Sequence, residues 1–292
     1  MRILFWLRCA RVYSLPVTVM SWAAAFVWGL KSGGNAFAGI LALFGISSAH
    51  LAANLLDDYM DYKILSKDEK YMLSAQTCKC EYLKNGSVQP QMMLKVIALF
   101  CAFAALIGGI LTLISGREVV LLALAGALIV LGYQKLSLRG LGEFAVFIAY
   151  GPLLFEGVYY VMTGGFSVDV FILSLSMAMI TEGLIYTHML LDYEGDLVLH
   201  KKTLCCRLGG REKALRLLYA FYASGYLFAA LFAIKIQNYY IFAVFLTLLP
   251  AVKLCLEMKA PNTKENFYPR FIQARNIITY FALILVLVLA VR

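Results

Sequence analysis

Two short acidic segments contain the residues whose types and spacing could perform chemistry. They read DDYMD at 57–61 and DYEGD at 192–196, in a chain with only 17 Asp and Glu among its 292 residues. A carboxylate beside hydrocarbon is costly unless it is paired with a cation or bound to a metal. Two clusters of carboxylates in such a chain therefore predict a functional site rather than an ordinary solvated surface.

The spacing within each segment favours a hard divalent cation. Residues three and four apart share one face of a helix, and both segments place carboxylates at this spacing. Mg²⁺ prefers oxygen ligands and commonly completes its coordination with substrate phosphates. The candidate ligands for Mg²⁺ are Asp57, Asp58, Asp61, Asp192 and Asp196. All of these except Asp57 are also the candidate catalytic residues.

Basic residues follow both acidic segments and indicate an anionic substrate. A metal ion with lysine and arginine beside hydrocarbon suits a diphosphate on a lipid tail, because the metal neutralises the leaving diphosphate while apolar walls hold the chain. His188 lies one helical turn before the second segment, and Asn54 lies one turn before the first. The candidate substrate-binding residues are Arg11, Asn54, Lys63, Tyr133, Arg139, Glu143, His188, Lys201 and Lys202.

The elements that must position these residues are membrane helices. Hydrophobic residues make up 62% of the chain and charged residues 15%, against roughly 25% charged in an average soluble domain. Stretches of about 20 apolar residues can cross a bilayer. They are found near 14–31, 36–56, 91–114, 118–134, 143–163, 167–191, 213–234, 237–257 and 271–291. The sequence thus predicts an all-α integral membrane protein, a bundle of about nine transmembrane helices around a central cavity, with each acidic segment at the end of a long helix.

The distribution of lysine and arginine predicts the orientation. Of the 26 basic residues, 22 lie on the side that holds the N-terminus and both acidic segments. Cytoplasmic loops of membrane proteins carry this excess, so the N-terminus and the active-site loops are expected in the cytoplasm, with the chain in the plasma membrane. Anionic lipid headgroups account for most of the net charge of +9. We therefore expect the lipid bilayer as a partner, no nucleic acid, and no obligate protein partner.

The order of helices and acidic segments predicts one domain, 1–292, with an internal repeat. Each half has two helices, an acidic segment with a cytoplasmic loop, and two more helices; the halves are about 11–140 and 141–257. A ninth helix follows at about 271–291. Repeats of this kind in membrane proteins place a site at their interface, so the two acidic segments are expected to face each other.

These motifs resemble those of the UbiA superfamily of intramembrane aromatic prenyltransferases. The first family motif is Asn-Asp-x-x-Asp, and 57–61 matches it with Asp57 in the place of Asn. The second is Asp-x-x-x-Asp followed by Lys-Thr-Leu, which 192–196 and 202–204 match. The stretch 11–16 also resembles the start of the family's first helix. Further similarity, at 139–143, 151–152 and 157–160, is to the 1,4-dihydroxy-2-naphthoate polyprenyltransferases of menaquinone synthesis.

The resemblance implies an Mg²⁺-dependent transfer of a polyprenyl group from polyprenyl diphosphate to an aromatic acceptor. The favoured acceptor is 1,4-dihydroxy-2-naphthoate. Ionisation of the diphosphate would leave an allylic cation, which aromatic faces can stabilise; Tyr133, Phe147 and Tyr150 are candidates, and Glu143 is a candidate to orient the acceptor or to take its proton. Another acceptor, such as 4-hydroxybenzoate or homogentisate, is an alternative. An ion-coupled transporter is a further alternative, although transporters place their carboxylates near the bilayer midplane on broken helices.

Overall fold

The computed structural model describes residues 2–67, 80–198 and 203–291. Within these residues, nine helices are long and apolar enough to cross a membrane, which confirms the predicted all-α membrane fold. They are α1 Val12–Lys31, α2 Ala36–Leu65, α3 Pro90–Ser115, α4 Glu118–Ser137, α5 Gly142–Thr163, α6 Val168–Leu191, α7 Arg211–Lys235, α8 Tyr239–Glu257 and α9 Glu265–Val291. α2 continues beyond the predicted apolar run 36–56 and ends at Leu65, so the first acidic segment lies within the last turns of this helix.

Side-chain caps fix the start of both helices that lead to the acidic segments. Asn35 Oδ1 accepts hydrogen bonds from the N–H groups of Phe37 and Ala38, at 3.0 and 3.2 Å, where α2 begins. Ser167 Oγ accepts one from the N–H of Asp169, at 3.2 Å, where α6 begins. Such caps satisfy N–H groups that have no partner inside the helix. The caps therefore define the helix ends opposite the acidic segments.

A kink divides α5 near its middle. The α-helical hydrogen bonding gives way to a π-helical turn at Ala149–Leu153, where Gly151 has φ −104° and ψ −110°. Pro152 contributes because it has no N–H to donate. A Cβ atom on Gly151 would lie 2.6 Å from Cβ of Ala178 on α6, so glycine permits the close approach of the two helices. The π turn also contains Tyr150, whose position beside α2 matters for the site.

Two apolar cores hold the bundle together. The larger core is centred on α6, which packs against α1, α5, α7 and α9 and buries Leu173, Met177 and Ile180. The smaller core joins the N-terminal helix Arg2–Cys9, the end of α2, the short helix Glu81–Lys84 and the start of α3; it contains Leu55 and Met93. The first acidic segment lies against this smaller core.

The outer surface of α3 and α4 is apolar. Leu99, Leu113 and Leu128 are all exposed there. A continuous surface of this kind is rare on proteins that stay monomeric in water, whereas it is what a hydrocarbon environment requires. The exposed leucines are consistent with helices that face lipid.

Candidate active site

Asp58 of the first acidic segment is buried within α2, with 3% of its surface exposed. Arg11 donates a hydrogen bond to Asp58 Oδ1, and the Tyr82 hydroxyl donates one to Asp58 Oδ2. Arg11 also pairs with Asp57, with Nη1 3.6 Å from Oδ2. A buried carboxylate is tolerated when a cation and further hydrogen bonds compensate it, and Asp58 has both. Arg11 therefore pairs with the first segment, and its predicted contact with substrate stays a prediction.

The backbone turns sharply at Arg11, which has φ 54° and ψ 46° in the left-handed region. Residues other than glycine adopt this region rarely, so the turn needs support from its surroundings. Asn54 Nδ2 supplies part of it by donating to the carbonyl of Ala10 at 3.0 Å and to Ser14 Oγ at 3.1 Å. The amide nitrogen of Asn54 thus supports the turn that aims Arg11 at Asp58, and its predicted role in binding substrate stays a prediction.

Tyr82 is a site residue that the sequence did not indicate. It lies in the short helix Glu81–Lys84, and the neighbouring Cys80 donates its thiol to the Asp58 carbonyl at 3.0 Å. Burial and the adjacent Asp58 carboxylate raise the pKa of the Tyr82 phenol above its usual value. The phenol is therefore a stable hydrogen-bond donor to Asp58. No local pattern connects these residues, because they are brought together by the smaller core.

Asp61 binds α4 through Gln134. The buried Gln134 amide donates to Asp61 Oδ1 at 2.6 Å. Tyr133 precedes Gln134 on the same helix and lies close enough to Tyr150 of α5 for an electrostatic interaction. Lys63 is exposed on the last turn of α2. Of these predicted residues, the structure joins Asp61 to α4 and leaves Lys63 at the surface.

His50 is a second site residue that the sequence analysis missed. It lies one turn before Asn54 on α2, and its ring nitrogens lie 2.8 Å from Ser14 Oγ, 2.5 Å from Thr18 Oγ1 and 3.1 Å from the Tyr150 hydroxyl. A histidine inside a membrane span is a signal of function by itself. These contacts connect α1, α2 and the π turn of α5 beside the first acidic segment.

The second acidic segment is arranged differently. α6 ends at Leu191, Asp192 is its C-terminal cap, and a separate short helix, Tyr193–Val198, follows. His188 and Asp196 therefore do not lie on one continuous helix, since α6 ends before Asp192 and the short helix begins after it. His188 Nδ1 lies 3.2 Å from Asp192 Oδ2, with about half of each side chain exposed.

The His188 ring also packs edge-on against α9, 5.4 Å from the ring centre of Phe271 and 6.1 Å from that of Phe267. The pair of His188 and Asp192 is thus held on one side by aromatic residues. Asp196 belongs to the short helix, but its side chain lies outside the part of the chain that is described. Lys201 and Lys202 also lie outside the described residues.

Glu143 connects α5 to the chain that follows the second segment. It is buried on the first turn of α5 and accepts a hydrogen bond from the backbone N–H of Leu204. Glu182 on α6 is buried within electrostatic reach of Glu143, and neither of its carboxylate oxygens has a hydrogen-bond partner among the described residues. Arg139 is exposed just after α4, four residues before Glu143 in the sequence. Glu143 is therefore placed where it can fix the loop after the second segment.

The donor chemistry of the two segments fits Mg²⁺, since both offer carboxylate oxygens. Within the described residues, no three His, Cys, Asp or Glu side chains group closely enough to hold a metal ion on their own. Asp58 is engaged by Arg11 and Tyr82, and Asp61 by Gln134. A metal held here would therefore need ligands from a bound diphosphate in addition to these carboxylates. The predicted approach of the two segments to each other stays a prediction.

Known proteins share both the sequence pattern and the geometry of this chain. The sequence profile described as the UbiA prenyltransferase family matches residues 15–290. The 1,4-dihydroxy-2-naphthoate octaprenyltransferase of Haemophilus influenzae is 24% identical over 212 residues, which cover 70% of this chain and 69% of that protein.

Solved structures share the fold over nearly the whole chain. A UbiA homolog from Aeropyrum pernix K1 gives a TM-score of 0.69 at 16% identity, over 94% of this chain and 97% of that one. A UbiA homolog from Archaeoglobus fulgidus, bound to GPP and Mg²⁺, gives 0.68 at 13% identity, over 96% and 99%. At these identities the likeness concerns the fold.

Proposed function

Because this chain belongs to the UbiA prenyltransferase family, we propose that it transfers a polyprenyl group from polyprenyl diphosphate to 1,4-dihydroxy-2-naphthoate, with Mg²⁺, in menaquinone biosynthesis. The observation that supports this most is the buried Asp58 carboxylate, held between Arg11 and Tyr82 at the end of a membrane helix. The naphthoate acceptor is supported by the Haemophilus influenzae relative. A transporter is no longer an alternative, because the family is one of prenyltransferases.

The proposed roles follow from the chemistry of the side chains. The residues that would hold Mg²⁺ are Asp57, Asp58, Asp61, Asp192 and Asp196. When bound, the metal neutralises the charge of the diphosphate and makes it a better leaving group. Arg11 holds Asp58 in place through its ion pair. Lys201 and Lys202, which follow the second segment in sequence, are proposed to contact the diphosphate as well. The allylic carbon is thus activated by loss of the diphosphate, with its electron pair leaving on the bridging oxygen.

The acceptor side of the site is proposed to lie between α2, α4 and α5. The rings of Tyr133 and Tyr150 can stabilise an allylic cation through their faces, and the π turn of α5 places Tyr150 beside His50 on α2. Water has to be kept from these rings during the reaction, because it would otherwise capture the cation. Glu143 is proposed to orient the acceptor or to take its proton.

The protein is located in a membrane. Nine apolar helices within the described residues, together with the family, establish a multi-pass membrane protein. The excess of basic residues on the side of the acidic segments supports an N-terminus and an active site in the cytoplasm, with the protein in the plasma membrane.

The test is prenyl transfer by the purified protein in lipid nanodiscs, with labelled polyprenyl diphosphate and a panel of 1,4-dihydroxy-2-naphthoate, 4-hydroxybenzoate and homogentisate. We expect product with the naphthoate and none after EDTA. Product with another acceptor alone would identify a different branch of the family, and product that persists in EDTA would refute the role of the metal. Asp169→Asn should keep full activity, because Asp169 pairs with Lys235 at 2.8 Å at the end of α6 opposite the second acidic segment.

A further inference from the structure

The C-terminal end of α6 is capped by a residue from the α8–α9 connection. The last carbonyl groups of a helix have no partner within the helix. Asn262 Nδ2 donates to two of them, Leu190 O at 2.8 Å and Leu191 O at 3.1 Å. Because Asp192 follows directly, the position of this aspartate depends on a side chain from a distant part of the sequence.

The same asparagine also binds the second acidic segment. Asn262 Nδ2 lies 3.0 Å from Glu194 Oε2, and Arg211 Nη1 at the start of α7 lies 2.6 Å from Glu194 Oε1. Arg211 Nη2 donates to Asn262 Oδ1 and to the carbonyls of Met258 and Ala260, each at 3.1 Å. Glu194 is therefore held at both carboxylate oxygens, by two side chains that also bind each other.

Arg270 of α9 completes this group. It is 5% exposed, and its Nη1 donates to Asn262 Oδ1 at 3.0 Å and to the carbonyl of Ala260 at 3.3 Å. We call Glu194, Arg211, Asn262 and Arg270 the connector clamp. It ties α6, the short helix Tyr193–Val198, α7 and α9 together. Charge-assisted hydrogen bonds of this kind are among the stronger ones in proteins.

The clamp lies beside carboxylates that repel each other. Asp192 and Glu194 are two residues apart, and Asp196 follows within the same segment. Like charges on a short, partly exposed segment favour open conformations, and fixing a segment before the ligand arrives removes that ordering cost from binding. The clamp acts on Glu194 and on the end of α6, so it leaves the carboxylate of Asp192 outside its own hydrogen bonds.

We propose that Arg211 and Asn262 are positioning residues that hold the second acidic segment ready for the metal and the diphosphate. This inference rests on the proposed function, since the ligand for which the segment is held is the diphosphate with its Mg²⁺. Loss of the clamp should weaken binding more than turnover once substrate is bound, because the ligand then has to order the segment itself.

The kinetic test uses Asn262→Asp and Arg211→Ala in the full-length protein. Asn262→Asp keeps the oxygen that accepts from Arg211 and Arg270. It replaces the donating NH₂ group by an oxygen, which cannot donate to the carbonyls of Leu190 and Leu191. We expect the KM for polyprenyl diphosphate to rise by about tenfold, the size of one lost charged hydrogen bond, with kcat changed by less than about threefold. Arg211→Lys, which keeps the charge at Glu194, should restore part of the affinity.

Arg216→Ala is the matched control for Arg211→Ala. It removes the same charge one to two turns further along α7, where Arg216 is exposed and pairs with Glu212 at 4.0 Å. We expect its KM to equal that of the wild type. A rise in KM in the control as large as in Arg211→Ala, or a fall in kcat at unchanged KM in the clamp variants, would overturn the proposal.

Hydrogen exchange without substrate separates this proposal from the proposed function. In lipid nanodiscs, the amides of 193–198 should exchange at least about tenfold faster in Asn262→Asp and Arg211→Ala than in the wild type or Arg216→Ala, because the clamp's hydrogen bonds oppose local opening. Unchanged exchange would overturn the clamp even if every protein is active. A wild type that makes no prenylated product would refute the proposed function, and the exchange result would then decide the clamp alone. Arg211→Lys serves both measurements if an alanine variant does not fold.

Discussion

Asp58 in the first acidic segment lies buried inside α2, whereas Asp192 in the second lies at the exposed end of α6, with 43% of its side chain accessible. Asp58 is bound by Arg11 and Tyr82, which reach it from the N-terminal turn and from the Glu81–Lys84 helix. Asp192 pairs with the half-exposed His188 one turn earlier. Two segments with similar sequences are thus held by different physical means.

The two segments obtain their order from different contacts. A buried charge must be compensated inside the protein, so the partners of Asp58 are needed for folding as well as for function. An exposed ion pair contributes little stability, since water competes for both charges. The first segment is therefore a fixed half of the proposed site, while the second depends on the connector clamp and on the ligand.

Arg11→Ala should disturb the first acidic segment most. It leaves the buried Asp58 carboxylate without its cation, which should lower the free energy of unfolding by about 3 kcal/mol and abolish transfer. The measurement is thermal or denaturant unfolding in nanodiscs. Asp58→Asn added to Arg11→Ala should recover stability without activity, because it removes the uncompensated charge. Arg8→Ala, on the exposed side of the N-terminal helix, is the control and should unfold like the wild type.

Tyr82→Phe should have an intermediate effect, since it removes one hydrogen bond to a buried carboxylate. We expect a loss of about 1.5–3 kcal/mol in the free energy of unfolding near pH 7. Folding raises the pKa of the Tyr82 phenol, and its pKa in the unfolded chain is about 10. The hydrogen bond of the neutral phenol therefore contributes its full stability below about pH 10. This contribution decreases as the pH rises above about 10, because the unfolded chain then loses the phenol proton first. The difference between wild type and Tyr82→Phe should therefore shrink above about pH 10. A difference that stays constant from about pH 7 to about pH 11 would contradict this role.

His188→Gln should have the smallest effect. Its contact with Asp192 is half-exposed, and such pairs contribute about 0–1 kcal/mol. We expect the unfolding temperature to stay within about 2 °C of the wild type, while the Mg²⁺ dependence of transfer shifts by a few-fold because the orientation of Asp192 changes. Mg²⁺ titrations of the initial rate measure this shift. A large loss of stability would show that the second segment is as deeply tied to the fold as the first.

The membrane fold and both acidic segments could be predicted from the sequence, because apolar length and helical spacing are local properties. The end of α2 was misplaced, since the apolar run stops at 56 while Arg11 and Gln134 let the helix continue through its aspartates. The end of α6 at Leu191 agrees with the predicted apolar span 167–191. Its contact with Asn262 was missed, because that residue lies far away in sequence.

The contacts of the site could not be predicted either, because they join residues that are far apart in sequence. Tyr82 and His50 carry no motif that marks them as partners of Asp58 and Tyr150, respectively. Their positions depend on how the N-terminal helix, α2 and α5 pack together. No short sequence pattern indicates that packing. By contrast, the contact between His188 and Asp192 follows the four-residue spacing and was predictable.

Both acidic segments are proposed to serve one transfer reaction, and we expect only Asp58 of the two aspartates to contribute strongly to the stability of the fold. The most direct measurement compares Asp58→Asn and Asp192→Asn for prenyl transfer and for unfolding temperature in the same nanodiscs. Each variant should lose activity by about 100-fold or more, the size expected when a group that stabilises developing charge is removed. The unfolding temperature should change only in Asp58→Asn. Full activity in Asp192→Asn, or an equal change in unfolding temperature in both variants, would contradict the account.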